Sequence, residues 1–212
     1  MTETEDTPRR RDPEATRVAI LDAAEALFIE SGTDAVPISQ IARQAGVTKS
    51  LIHHHFGSKD QLWDAIKERR FTEYFEQQAE ILQTADAEGV EVLEVSMRAY
   101  FNFLRRNPNM VKMMALRFVE EDDTCAAMEN DLFRRGVERI EESQARGEIR
   151  ADLNPFYIIK SFIALSLSWF QSKPMFCATV GETDAHLLED ERYLEDAVAI
   201  FLEGVRPRPT NP

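Results

Sequence analysis

The most constraining feature of this chain is a window, residues 35–59, that contains no aspartate or glutamate. It lies in a protein of 212 residues whose 38 acidic residues outnumber its 25 basic ones. Arg43, Lys49 and Lys59 sit inside it. The window also carries its own punctuation. Ile38–Ala45 and Lys49–His55 each read as about two turns of helix, closed by Gly46 and Gly57, with Thr48 as N-cap of the second. Helices this short are marginal alone in water and need a longer neighbour to pack on. One precedes them: Asp12-Pro13 supplies an N-cap and a first-turn proline, and the pattern runs to about Ser31 with Val18, Leu21, Ala24, Leu27 and Phe28 on one face. Gly32 suits the cap after it. Ser58-Lys59-Asp60-Gln61 then reads as a capping box opening a long helix through Trp63, Ile66, Phe71 and Phe75 to about Gln83.

One long and two short helices joined by tight turns make a helix-turn-helix, in which the last short helix enters the major groove of DNA. In that helix Val47, Ile52 and Phe56 are the candidates for the core. Thr48, Lys49, Ser50, Leu51, His53, His54 and His55 are left for the other faces. Hydroxyls and lysine bind phosphates or base edges, histidine does either, and leucine touches a thymine methyl. Ser39, Gln40 and Arg43 of the preceding helix complete the candidate DNA-binding set. Lys59 joins them at a helix N-terminus suited to phosphate. Three consecutive histidines diverge by about 100° per residue, so no metal site is expected from them.

The formal net charge of -13 argues against nucleic acid when averaged over the chain. The average misleads. Residues 1–60 hold ten acids and seven bases, net -3, whereas residues 61–212 hold 28 acids and 18 bases, net -10. Counterion release depends on the charges at the phosphates and not on the total. No run of eighteen apolar residues occurs, so no membrane span is expected, and the polar start from Met1 to Pro13 does not read as a signal peptide. Cys125 and Cys177 have no metal-ligand or redox spacing. The expectation is a cytoplasmic protein with two free thiols. Serine-hydrolase, Walker, dinucleotide-binding and zinc-protease motifs are absent, so neither an enzyme nor a bound cofactor is expected.

After residue 60 the same helical grammar continues. Helices follow Gly89, start at Asn107-Pro108, run from about Thr124 to Gly147, and start again at Asn154-Pro155. The last of these is apolar from Phe156 to Phe170 and is expected to stop at Pro174. A final amphipathic helix runs from about Leu188 to Glu203, closed by Gly204. The fold class is all-α with about nine helices. The expected parts are an arm over 1–12, which includes Arg9-Arg10-Arg11, a DNA-binding domain over 13–60, a larger helical domain over 61–205, for which the family resemblance given below implies ligand binding and dimerisation, and a disordered tail over 206–212. Methionines and aromatics cluster in the larger part and suit an adaptable apolar cavity. The ligand candidates are Tyr100, Phe101, Met110, Met114, Phe118, Met128, Phe133, Phe162 and Trp169. Tyr100, Asn102, Tyr157 and Gln171 are candidates for orienting polar groups on a ligand. Residues 156–171 are apolar on most faces, which fits either an internal core helix or, with 188–203, a dimer surface through Phe162, Ile163, Leu167, Phe170, Leu194, Val198 and Phe201, the reading the family resemblance given below favours.

The first sixty residues resemble the tetracycline-repressor (TetR) family. The likeness runs through Ile20-Leu-Asp-Ala-Ala, Leu27-Phe28, Gly32, Ile41-Ala42, Ala45-Gly46-Val47-Thr48-Lys49-Ser50 and His55-Phe56-Gly-Ser-Lys59-Asp60-Gln-Leu62. Arg146-Gly147-Glu148-Ile149-Arg150 before Asn154-Pro155 continues it in style. The resemblance implies a homodimeric repressor on a roughly palindromic double-stranded operator, released by a small-molecule effector with a large apolar part. It places Thr48, Lys49 and Ser50 at the start of the recognition helix, His53, His54 and His55 on its DNA side, and Lys59 at the next helix start. Two positions depart from the family pattern. His53 stands where tyrosine contacts phosphate, and Pro37 where serine or threonine opens the second helix. Imidazole also donates to phosphate, and Ser39 supplies a hydroxyl nearby. The rival reading is a helical small-molecule binding protein that has lost specific DNA binding.

Overall fold

The computed structural model describes residues 12–84, 88–119, 125–179 and 189–208. Residues 1–11 of the expected arm, Glu120–Asp123, Leu188 and the end of the expected tail lie outside the described residues. Among the described residues there are nine helices and no strand. The chain forms two compact units, one through Arg69 and one from Arg70.

The first unit comprises α1 (Pro13–Ser31), α2 (Ile38–Ala45), α3 (Lys49–Phe56) and the opening turns of α4 (Lys59–Thr84). Asp12 caps α1, its Oδ1 accepting the Glu14 N–H at 3.0 Å. Ile20, Leu21, Leu27, Phe28, Ile41, Ile52, Leu62 and Ile66 form a closed core, with Phe28 set edge-on to Trp63 at 5.6 Å. Ile20, not Val18, serves that core, and Val18 is exposed. The unit ends nine residues beyond the expected boundary at 60 because Leu62, Trp63 and Ile66 bury themselves in it. Arg69 closes it electrostatically, donating to Asp22 at 2.8 Å and to the buried Glu25 at 2.7 Å.

The second unit comprises the rest of α4 with α5 (Val90–Arg106), α6 (Pro108–Val119), α7 (Ala126–Ala145), α8 (Pro155–Thr179) and α9 (Asp190–Val205). α5 packs against α6, α8 and α9, and α8 also against α6, α7 and α9. Arg98 clasps Glu195 with two bonds, at 2.6 and 2.8 Å, and Arg105 pairs with Glu191, so α5 and α9 are linked by charge as well as by packing.

Two expected helix ends are corrected. Pro174 does not stop α8, which continues to Thr179. The proline removes one backbone bond and crowds the turn before it. The flanking turns are held by other means: Trp169 Nε1 and Lys173 Nζ both bond Asp190 Oδ1, at 2.8 and 2.5 Å, and Ser172 Oγ donates to the Ser168 carbonyl at 2.7 Å. Gly204 likewise lies inside α9, which ends at Val205 because that side chain is buried.

Candidate nucleic-acid interface and ligand cavity

Three local devices position α3. Gly46 adopts the left-handed conformation (φ 65°, ψ 35°), and the following Val47 N–H bonds the Ala42 carbonyl at 2.9 Å, which turns the chain out of α2. Thr48 Oγ1 accepts the Leu51 N–H at 3.3 Å and bonds Ser50 Oγ at 2.9 Å. The capping box forms reciprocally: Gln61 N–H donates to Ser58 Oγ at 3.1 Å, and Ser58 N–H donates to Gln61 Oε1 at 3.0 Å. Gly57 makes the box possible. Its φ is 75°, and a Cβ there would lie 2.3 Å from Gln61 Oε1.

Ile52 and Phe56 are buried, while Ser39, Arg43, Thr48, Lys49, Ser50, His53 and His54 are exposed. Gln40, Leu51, His55 and Lys59 are half-buried, as is the expected core residue Val47. His53 Nδ1 lies 2.8 Å from the Gly57 carbonyl, so the ring is held and Nε2 points elsewhere. With Nδ1 donating to that carbonyl, Nε2 accepts a hydrogen bond when the ring is neutral and donates to an anion once it is protonated. Lys59 Nζ, at the start of α4, donates to the Asp34 carbonyl at 3.4 Å. Pro37 gives α2 no side-chain cap, and Ser39 brings a hydroxyl to that first turn. Among the described residues none of Arg43, Lys49 and Lys59 pairs with a carboxylate. The sequence missed Arg17, whose guanidinium lies 5.3 Å from the centre of the Phe56 ring and fixes α3 to α1. Nothing in the spacing of residues in α1 announces it.

The second unit holds a cavity of about 500 Å³. α5 contributes Leu93, Ser96 and Tyr100, α6 contributes Met114 and Phe118, and α7 contributes Leu132, Phe133, Gly136 and Ile140. Ile159, Phe162 and Leu167 of α8 close another side. Five of the expected ligand residues therefore line it: Tyr100, Met114, Phe118, Phe133 and Phe162. Four do not. Phe101 is filled in by the rings of Phe170 and Tyr193, Met110 is buried in packing, and Trp169 stacks on Tyr193 at 4.1 Å. Met128 lies off the wall, where its sulfur accepts from Thr72 Oγ1 at 3.7 Å. Of the polar candidates only Tyr100 lies on the wall; Asn102 is half-buried elsewhere, and Tyr157 and Gln171 are exposed. The residues missed from sequence include the whole contribution of α4, Phe71, Tyr74, Phe75 and Gln78, as well as Leu93 and Ser96 of α5, Leu132 and Ile140 of α7 and Ile159 of α8. Burial first, then Tyr100 and Glu129, pushes the Tyr74 phenol well up, and burial followed by Glu129 does the same to Tyr100. Both therefore remain hydrogen-bond donors at neutral pH.

The expected dimer residues need correction. Phe162, Leu194, Val198 and Phe201 are buried within the single chain, where Phe162 meets Tyr100 and Phe201 edge-on. Ile163, Leu167 and Phe170 are half-buried, and the first two face the cavity. The outward faces of the same helices carry other residues: Ala164 and Ser168 on α8, and Ala199 and Ile200 on α9, with Ile200 71% exposed. No helix among the described residues is long and apolar enough to cross a membrane.

Two stretches of the chain are similar to known proteins. A profile described as bacterial regulatory proteins, tetR family, matches residues 20–66, and one described as tetracyclin repressor-like, C-terminal domain, matches residues 96–199. The HTH-type transcriptional regulator BetI of Rhizobium meliloti is 54% identical over 46 residues, 22% of this chain and 23% of that protein. The HTH-type transcriptional repressor Rv3405c of Mycobacterium tuberculosis is 27% identical over 208 residues, covering 93% of this chain and 96% of that protein. Among solved structures, the transcriptional regulator FadR of Bacillus subtilis in complex with stearoyl-CoA superposes with a TM-score of 0.71 at 17% identity, over 89% of this chain and 99% of that one.

Proposed function

The chain belongs to the tetR family of bacterial regulatory proteins and is a DNA-binding transcriptional regulator, and from that premise we propose how it works. It acts as a homodimeric repressor on a roughly palindromic operator, each α3 entering one major groove of half-sites about one helical turn apart. Thr48, Lys49, Ser50, Leu51, His53 and His54 meet bases and phosphates. Ser39, Gln40, Arg43, His55 and Lys59 hold the flanking backbone. The two copies meet through the outward faces of α8 and α9 around Ala164 and Ile200, where small and apolar residues permit close approach. A mostly apolar effector occupies the cavity and favours a conformation that no longer fits both half-sites, a population shift that ends repression.

The observation that carries this reading is the surface of α3. Its exposed polar side chains and Lys49 stand in a 25-residue window free of acid that also holds Arg43 and Lys59, on a helix whose Ile52 and Phe56 are buried. One helix, α4, carries both Lys59 and the cavity residues Phe71, Tyr74 and Gln78, so a guest in the cavity acts on an element that also serves the DNA face. The test is a fluorescence-anisotropy titration of the full chain against duplexes selected from a random pool, with sedimentation to count copies per duplex. The expected result is two copies on an inverted repeat. A single copy bound, or no sequence preference, would contradict the proposal.

A further inference from the structure

The cavity wall is not uniformly apolar. Tyr74 and Gln78 lie one turn apart on α4, and Ser96 and Tyr100 one turn apart on α5. All four are more than nine-tenths buried. The rings of Tyr74 and Tyr100 are 5.6 Å apart, which makes the two pairs one polar strip. Along α7 the wall runs from Glu129 to Ser143, about 21 Å at the helical rise. The space is therefore elongated, and the strip lies along its side.

The strip has unused hydrogen-bonding capacity. Ser96 Oγ has no partner. A helical serine ordinarily returns its hydroxyl to the carbonyl four residues back, and this chain does so twice on α8: Ser161 to Tyr157 and Ser172 to Ser168, each at 2.7 Å. Ser166 also lacks a partner, but it lies off the cavity wall, with no space for a guest. The Tyr100 hydroxyl donates to the thioether of Met114 at 3.7 Å, a weak acceptor. The strip thus presents a donor short of a good acceptor and a hydroxyl free to act either way. A buried polar group without a partner is destabilising, and a guest oxygen would relieve it. Charge decides what kind of oxygen. The wall carries Glu129, paired with Arg117 at 3.0 Å, together with Arg139 and Lys160, and of these four Glu129 is the one whose field is felt at both phenols of the strip. A guest carboxylate at the strip would stand against it.

We propose that the effector is an elongated apolar molecule bearing an uncharged hydroxyl or ketone oxygen, received by the strip of Tyr74, Gln78, Ser96 and Tyr100. This rests on the effector reading above. The test is isothermal titration of the full chain with three probes of one shape: biphenyl, 4-hydroxybiphenyl and biphenyl-4-carboxylate. A site built to hydrogen-bond an oxygen rejects the analogue without it. The hydroxyl probe is expected to bind about tenfold more tightly than either of the others. Ser96→Ala combined with Tyr100→Phe is expected to erase that preference while biphenyl affinity stays within about twofold. Alanine favours the helix, and circular dichroism checks that the variant folds. Equal binding of biphenyl, or tightest binding of the carboxylate, overturns the inference and leaves the effector cavity standing. Failure of all three probes, with duplex binding intact, overturns the cavity reading itself and this inference with it.

Discussion

On α2, α3 and the start of α4 the cations Arg43, Lys49 and Lys59 have no carboxylate partner among the described residues. In the unit from Arg70 many arginines are matched: Arg98 with Glu94 and Glu195, Arg134 with Asp131 and Glu138, Arg150 with Asp152. Space follows the opposite rule. The first unit closes its core around Phe28 and Trp63, whereas the second encloses about 500 Å³. Exposed ion pairs contribute little stability, so matching does not explain the second unit's fold. What opposes a polyanion there is the excess of acid, 28 acidic residues against 18 basic ones over 61–212, much of the basic charge being held in these pairs. The first unit keeps its positive charge unspent for an external partner, and the second keeps its interior open for an internal one.

If that contrast is sound, the two activities separate by substitution. The largest effect is expected from Phe28→Ala, which removes a fully buried ring and costs the first unit about 3–5 kcal/mol. Duplex binding by anisotropy should be lost while 4-hydroxybiphenyl still binds by calorimetry. Joint loss would mean that the units unfold together and would break the comparison. Lys49→Glu should cost roughly 2 kcal/mol in duplex affinity, about 30-fold, with the melting temperature unchanged, since the side chain is exposed. Gly57→Ala should cost about 1–2 kcal/mol in the melting of the first unit, because the conformation disfavours a Cβ and the new atom displaces Gln61 from its cap. Combined with Gln61→Ala the losses should be less than additive, as both break one box. The smallest effect is expected from Ser96→Ala without ligand: a gain of up to about 1 kcal/mol in thermal melting from removing an unpartnered hydroxyl.

The first unit was legible because its signals are local. Asp12, Thr48 and the Ser58–Gln61 pair each cap a helix within three residues of themselves, and all these caps form as the sequence predicts. The cavity was legible only in part. Helical periodicity marks Phe101, Met110 and Trp169 as inward-facing just as it marks Tyr100 and Phe162. It does not distinguish a face packed on a neighbour from one bordering a space. That distinction depends on how far apart α4, α5, α7 and α8 stand, which no single segment encodes. For the same reason Phe71, Tyr74 and Phe75 read as ordinary helix core. The dimer residues failed differently: the most apolar positions of α8 and α9, such as Phe162 and Val198, were taken by the chain's own core, leaving Ala164 and Ile200 outward. Pro174 was misread because side-chain bonds to Asp190, distant in sequence, hold the turns around it.

On the proposed function, the acid-free surface of α3 meets DNA phosphates and bases. The most direct test is the salt dependence of duplex affinity for the full chain and for Lys49→Ala. The expected result is a steep linear fall of log K with log salt, with a slope reduced by about one unit in the variant as one phosphate contact is lost. A slope near zero, or a slope unchanged by the substitution, would contradict it.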